Sequence, residues 1–275
     1  MTDLPAWSEP FTGSNRSRLV RRGPWGRAER SWAFGDGSGR GVRVAIIDSG
    51  VEADHPATGG RLVESVVVER HGEDWDVVPT TPGDVVGHGT ACAGIIHALA
   101  PGADLVSIRV LGPDNRGNGG AFATGLQWAI EASGASVVNL SLSSRSDAFF
   151  APFHELADEA YFRNVLLVCA ANNVSVASYP SLFASVVSVA AHDVAGGDAW
   201  FYNPEPPVEF GAHGVGVRVA WMDGGWITST GNSFATPHIS GIVAKILGKH
   251  PELTAFQMKA VLRALAANVY REAAG

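Results

Sequence analysis

Val42-Arg43-Val44-Ala45-Ile46-Ile47-Asp48-Ser49-Gly50 is the stretch on which the fold turns. Its apolar residues form a short, nearly continuous run dominated by β-branched side chains, the pattern of a strand covered on both faces. A carboxylate closes the run, and a glycine then lets the chain turn away. Working outward, residues 62–68, 104–110, 137–142, 165–170, 186–190 and 215–221 repeat that pattern and read as further strands. Residues 88–98, 120–133, 151–162, 233–248 and 254–267 read as helices. In the second of these, Phe122, Leu126, Ala129 and Ile130 share one face; in the last, Met258, Val261, Leu262 and Leu265 form the apolar stripe behind a Thr254 cap.

Strands alternating with helices predict an α/β fold: a mostly parallel central sheet, right-handed crossovers and helices on both faces. Residues 41–275 are expected to form one domain. Residues 1–40 differ from it, with Pro5, Pro10, Pro24 and an arginine cluster between Arg16 and Arg30. They read as an N-terminal extension lying on the surface of the body, with a short helix near residues 27–34.

Composition narrows the function. At 275 residues, 46% hydrophobic and 17% charged, the chain can bury a substantial core and does not resemble a disordered protein. A net charge of −7 argues against nucleic acid as a partner. No apolar run approaches the ~18 residues of a membrane helix, and the N-terminus lacks an apolar signal core, so no membrane partner is expected. Two cysteines, Cys92 and Cys169, are too few to staple a domain of this size. They fit a reducing compartment, and a cytoplasmic location is the expectation.

In a parallel sheet, chemistry collects beyond the carboxyl ends of strands and at the helix N-termini that follow. Three polar residues occupy such places: Asp48 at its strand end, His88 in Gly87-His88-Gly89-Thr90, and Ser233 in Gly231-Asn232-Ser233-Phe234. Singly, each reads as a turn or cap residue. Together they supply a carboxylate to orient an imidazole, an imidazole to take a hydroxyl proton, and an oxygen to attack a carbonyl.

Over residues 32–268, the motifs Ala45-Ile46-Ile47-Asp48-Ser49-Gly50-Val51, Gly87-His88-Gly89-Thr90, Val137-Val138-Asn139-Leu140-Ser141-Leu142 and Gly231-Asn232-Ser233-Phe234-Ala235-Thr236-Pro237-His238 stand in order, and the chain resembles the subtilisin-type serine proteases. The resemblance implies a three-layer fold and a serine endopeptidase working through an acyl-enzyme. Ser233 is then the nucleophile, His88 the general base and acid, and Asp48 the residue that holds the imidazole. Asn173, in Ala170-Ala171-Asn172-Asn173, matches the side-chain oxyanion donor, beside the Ser233 backbone N–H; Asn172 stands where the family has glycine.

By the same resemblance, a peptide or protein substrate binds as an extended strand between Asn115-Arg116-Gly117 and Ser141-Leu142-Ser143, and Gly119 leaves an outer subsite open. Ser143, Ser144, Asn172 and Ser181 replace pocket glycines, so a small or polar side chain is expected before the cleaved bond. Phe234 replaces the usual methionine and is expected to add bulk on the leaving-group side. Cys92, one helical turn from His88, implies sensitivity to mercurials. The helix after His88 runs on without the insertion that carries a calcium loop in relatives; no metal and no cofactor are expected, and Asp54, Asp74 and Asp76 read as solvated acids. The glycine-rich residues 112–120 mimic a phosphate cradle but lack its Lys-Ser/Thr ending. Leu4-Pro5-Ala6-Trp7 is expected to lie across the active site. The cellular task is general turnover or the trimming of a precursor, such as a leader peptide. A catalytically silent peptide-binding member and a transpeptidase or macrocyclase are the alternatives.

Overall fold

Along the strand Arg43–Asp48, side chains alternate between two separate apolar clusters, Val44 and Ile46 entering one and Ala45 and Ile47 the other. That alternation makes a three-layer architecture, because each face needs its own cover. The computed structural model describes residues 4–15, 21–22 and 29–270. Its main sheet comprises β1 (Arg43–Asp48), β2 (Leu62–His71), β3 (Asp74–Pro79), β4 (Asp104–Arg109), β5 (Val137–Leu140), β6 (Leu166–Ala170), β7 (Val187–His192), β8 (Phe201–Tyr202) and β9 (Phe210–His213). The spatial order is β8-β9-β7-β6-β5-β1-β4-β2-β3. From β9 to β2 all neighbours are parallel; only the edge strands β8 and β3 run antiparallel.

One face is covered by α1 (His88–Leu99), α4 (Asn232–Lys249) and α5 (Ala255–Leu265), which bury Cys92, Ile96, Ile239, Val243, Met258 and Leu262. The other is covered by α2 (Gly119–Glu131) and α3 (Phe150–Phe162), through Phe122, Leu126, Phe153 and Ala157. Each large side chain buried this fully contributes about 1.5–3 kcal/mol. The Thr254 cap is a full capping box: its hydroxyl accepts from Gln257 N–H while the Gln257 side chain accepts from Thr254 N–H. β1 sits between β4 and β5, where the chain reverses its direction of travel across the sheet, so Asp48 ends at a crevice.

The expected strand at 215–221 does not join this sheet. β10 (Val217–Trp221) pairs with β11 (Gly225–Ser229) as an antiparallel hairpin. Arg218 is exposed between buried Val217 and Val219, which is the alternation of a strand with one wet face. β9 was not anticipated, since Phe210-Gly211-Ala212-His213 offers little apolar signal. The short helix expected at 27–34 is Arg30–Ala33. Arg16, Arg18 and Arg27 of the arginine cluster lie outside the described residues; Arg21 and Arg22 pair with Val269 and Tyr270 in a short parallel ladder, and Arg30 lies 3.5 Å from Asp198. The extension is more than a surface tail, for Phe11 and Ser8 are fully buried. No helix among the described residues is long and apolar enough to cross a membrane.

Candidate active site

Asp48 leaves the end of β1 and meets His88 at the first position of α1. His88 Nδ1 lies 2.8 and 2.9 Å from the two carboxylate oxygens, which can only accept, so Nδ1 carries the proton and Nε2 is left as the basic nitrogen. Both residues are buried. Burial works against the charged imidazole, but the Asp48 charge and hydrogen bond, with the Asp84 charge, outweigh it and raise the His88 pKa above its ordinary value.

Asp84 was not singled out from sequence. It supplies the cap that Gly87 cannot: its Oδ1 accepts from Val86 N–H, Gly87 N–H and Ser49 Oγ, and its Oδ2 from Thr90 N–H and Thr90 Oγ1, at 2.7–2.9 Å. One carboxylate thus ties the residue after Asp48 to the first turn of the helix that begins at His88.

Ser233 lies in the first turn of α4. Pro237 sits four residues on and has no N–H to offer the Ser233 carbonyl. That carbonyl accepts instead from Ser141 Oγ at 2.8 Å, and Ser141 accepts from Asn139 Nδ2 at 3.0 Å. Asn139 Oδ1 accepts in turn from Ser240 Oγ at 2.9 Å. This buried chain fixes the serine's backbone against β5. Cys92, fully buried, joins it with Sγ 3.3 Å from Ser141 Oγ and 3.8 Å from Asp48 Oδ2. Burial first, then the Asp48 charge, pushes its thiol well above the ordinary value, so it is a donor and not a nucleophile.

The Asn173 side chain approaches the same turn. Its Oδ1 accepts from Asn232 N–H at 2.9 Å, which turns Nδ2 the other way as a free donor. A Cβ built on Gly231 would lie 3.2 Å from Ser233 Oγ and 3.6 Å from Asn173 Nδ2. Glycine therefore keeps a small gap open beside the hydroxyl, the amide and the edge of the Phe234 ring.

A cavity of about 590 Å³ brings the predicted residues together: His88, Asn115, Arg116, Gly117, Gly119, Ser141, Leu142, Ser143, Ser144, Asn172, Asn173 and Ser233 all line it. Arg145, which sequence reasoning passed over, lines it too. Four expectations need correction. Phe234 is 4% exposed and packs into a cluster with Ala91, Ile95, Val217 and Val219; it faces the His88 ring at 5.3 Å and does not line the cavity. Ser181 is buried, hydrogen-bonded to Ser178, and does not line the cavity. At Gly119 the space a side chain would take is filled by the Phe149 ring, so the missing Cβ opens no subsite. Finally, Leu4–Trp7 does not cross the groove: these residues line a separate pocket with Ser175, Asn203 and Val208.

Among the described residues, the three groups close enough to hold a metal ion are Asp48, His88 and Cys92. His88 Nδ1 is already committed to Asp48, so an ion there would have to displace that hydrogen bond. Asp54, Asp74 and Asp76 belong to no such group among those residues; Asp76 pairs with His71 at 3.0 Å. Helix α1 is continuous from His88 to Leu99.

Comparison with known proteins identifies the family of this chain. The chain is 35% identical over 250 residues to Subtilisin BL of Lederbergia lenta, covering 86% of this chain and 88% of that protein. It is 32% identical to the thermostable alkaline protease of Halalkalibacterium halodurans, covering 80% of this chain and 61% of that longer protein. The crystal structure of a cold adapted subtilisin-like serine proteinase superposes with a TM-score of 0.68 at 27% identity, covering 90% and 89% of the two chains. Residues 39–274 match the model of the subtilase family. The chain belongs to that family and is a subtilisin-like serine protease, a hydrolase of peptide or protein substrates.

Proposed function

We propose that this protease cleaves through a Ser233–His88–Asp48 triad and an acyl-enzyme. His88 Nε2 takes the Ser233 proton as Oγ attacks the scissile carbonyl, and Asp48 stabilises the imidazolium that forms. Asn173 Nδ2 and the Ser233 N–H donate to the oxyanion; the latter has no acceptor four residues back and sits at the positive end of α4. His88 then returns the proton to the leaving amine, and water repeats the sequence on the acyl-enzyme. The carrying observation is that Ser233 Oγ and Asn173 Nδ2 flank one gap above Gly231, in a cavity that His88 also lines.

The peptide lies between Asn115–Gly117 and Ser141–Ser143, paired through its backbone. Ser143, Ser144 and Asn172 leave a narrow, polar pocket for the side chain before the cleaved bond. Restricted cleavage of a precursor, in a cytoplasmic setting, is the role this reading assigns. Residues 41–275 act as the peptidase domain, and residues 1–40 as an extension of it.

Covalent labelling by a fluorophosphonate tests the mechanism: wild type is labelled at Ser233, and Ser233→Ala and His88→Ala are not. Labelling elsewhere, or undiminished without His88, rejects the triad. Product masses showing free carboxylates rather than new amide bonds separate hydrolysis from ligation.

A further inference from the structure

The mechanism above leaves residues 4–11 unused, yet they bond to the backbone of Asn173 and to the side chain of Asn232. Ala6 N–H donates to the backbone carbonyl of Asn173, and Ala6 O accepts from Asn232 Nδ2 at 2.9 Å. Ser8 Oγ donates to Asn232 Oδ1 at 3.2 Å. Asn232 itself is fully buried between them. Its Nδ2 also donates to Ala171 O and Asn172 O, and its Oδ1 also accepts from Ala191 N–H. A hydroxyl side chain has one proton to give; only a carboxamide offers two donors and an acceptor at that distance. The Asn232 backbone N–H then fixes Asn173 Oδ1. Asn173 is therefore held at its main chain by the N-terminal segment and at its side chain by a residue keyed to that segment.

The body carries a seat for this segment. The Phe11 ring is fully buried against Ala171, Ala190 and Val208. It occupies the space of a missing side chain at Gly211, where a Cβ would come within 2.3 Å of the ring. Ala171 belongs at once to this seat and to the set of carbonyls that Asn232 binds.

We propose that residues 4–11 are a built-in activating element, and that Asn232 is the positioning residue through which they hold the Asn173 carboxamide for the oxyanion. The proposal rests on the triad reading. It assigns the segment a role opposite to that of an inhibitory tail. Because the contacts reach Asn173 and not the strand-binding walls of the groove, loosening them should weaken transition-state stabilisation and spare substrate binding.

The test uses the full chain with Phe11→Ala, which empties the seat at a residue that does not itself line the cavity. Turnover is measured per active centre titrated with fluorophosphonate, on a peptide anilide, together with inhibition by a peptide boronic acid that forms a tetrahedral adduct. The expected result is a kcat about ten-fold lower, the worth of one lost hydrogen bond, with KM within two-fold. Boronate affinity should fall by the same factor. Ser8→Ala, which removes only a hydroxyl, should lose about three-fold on the same scale and carries the test if Phe11→Ala does not fold. Unchanged kcat, raised kcat, or a loss confined to KM overturns the proposal. Failure of wild type to label at Ser233 instead overturns the triad reading, so the two failures are distinguishable.

Discussion

Asp84→Asn probes how the pair Asp48–His88 is held, and its size can be worked from the contacts. The substitution keeps Oδ1 for Ser49, Val86 and Gly87 but puts an NH₂ group where Oδ2 accepts from Thr90 N–H and Oγ1. The Thr90 hydroxyl can rotate to accept; the Thr90 N–H is left facing another donor. Losing one hydrogen bond to a charged group costs about 1.5–3 kcal/mol of stability. If roughly half to two-thirds of that reaches the first turn of α1, kcat/KM falls ~3- to 30-fold. The charge change adds a second, independent signature. Burial lowers the His88 pKa, and Asp48 with Asp84 raises it past its ordinary value. Removing the Asp84 charge moves it down. The acid limb of kcat/KM records loss of the neutral imidazole as pH falls, so it should shift to lower pH. The assay is kcat/KM against pH with a chromogenic peptide, and a melting curve beside it. A variant that melts earlier but keeps its acid limb in place would falsify the electrostatic part. Unchanged plateau activity would remove the positioning role.

Further expectations follow from the same contacts. Asn173→Ala should lower kcat by ~10²–10³-fold with little change in KM, a range taken from removal of the oxyanion donor within this family rather than worked from the present geometry; a loss below five-fold would exclude Asn173 as a donor. Gly231→Ala should be at least as damaging, ~10²-fold or more in kcat, because the new methyl enters the gap between Ser233 Oγ and Asn173 Nδ2; near-normal turnover would show that the oxyanion forms elsewhere. A peptide library should return small or polar residues before the cleaved bond, with acidic residues favoured elsewhere by Arg116 and Arg145 on the wall, and a profile dominated by large aromatics would refute the narrow pocket. His238 gives a pH dependence of stability. Burial foremost, then the charges of His213 and His192, lowers its pKa from 6.5 to about 4 against an opposing hydrogen bond to Phe234 O. The unfolded chain therefore binds the extra proton between those values, and up to ~3 kcal/mol is lost as pH falls through that window. Denaturant melts of wild type and His238→Asn across pH 4–7 should converge at the acid end; parallel curves would contradict it.

What could be read before the structure, and what could not, divides along a physical line. Asp48, His88 and Ser233 were legible because each ends or begins an element whose periodicity is strong, and because glycines beside them release the backbone. β1 announced itself by a run buried on both faces. β9 did not, having only Phe210 and Ala212 to bury, and β10 misled because its valines alternate with a wet face rather than filling a sheet interior. The outward expectations for Phe234 and Gly119 failed for a related reason. Sequence gives a side chain's size but not the direction in which a helix N-terminus or a distant ring aims it, and here Phe234 turns inward while Phe149 fills the gap at Gly119.

The supports of the site were illegible for a deeper reason. Asp84, Asn139, Ser141 and Asn232 are residue types that occur in every loop, and their meaning lies in partners far along the chain: Ser240 for Asn139, Ser8 for Asn232. Only Pro237 carried a local clue, since a proline four residues after a serine must orphan that serine's carbonyl, and something has to answer it. The answer is Ser141, which the family resemblance assigns to the substrate wall for its backbone. Its hydroxyl points inward to the Ser233 carbonyl, so one residue joins the cavity wall to the turn that carries Ser233. A substitution there should therefore disturb turnover before it disturbs substrate preference. Ser141→Ala leaves the Ser233 carbonyl with only the distant Cys92 thiol, at 3.7 Å, and strands Asn139 Nδ2. With a buried acceptor and a buried donor unpaired, about 1–3 kcal/mol each, the first turn of α4 has reason to shift, and Ser233 shifts with it.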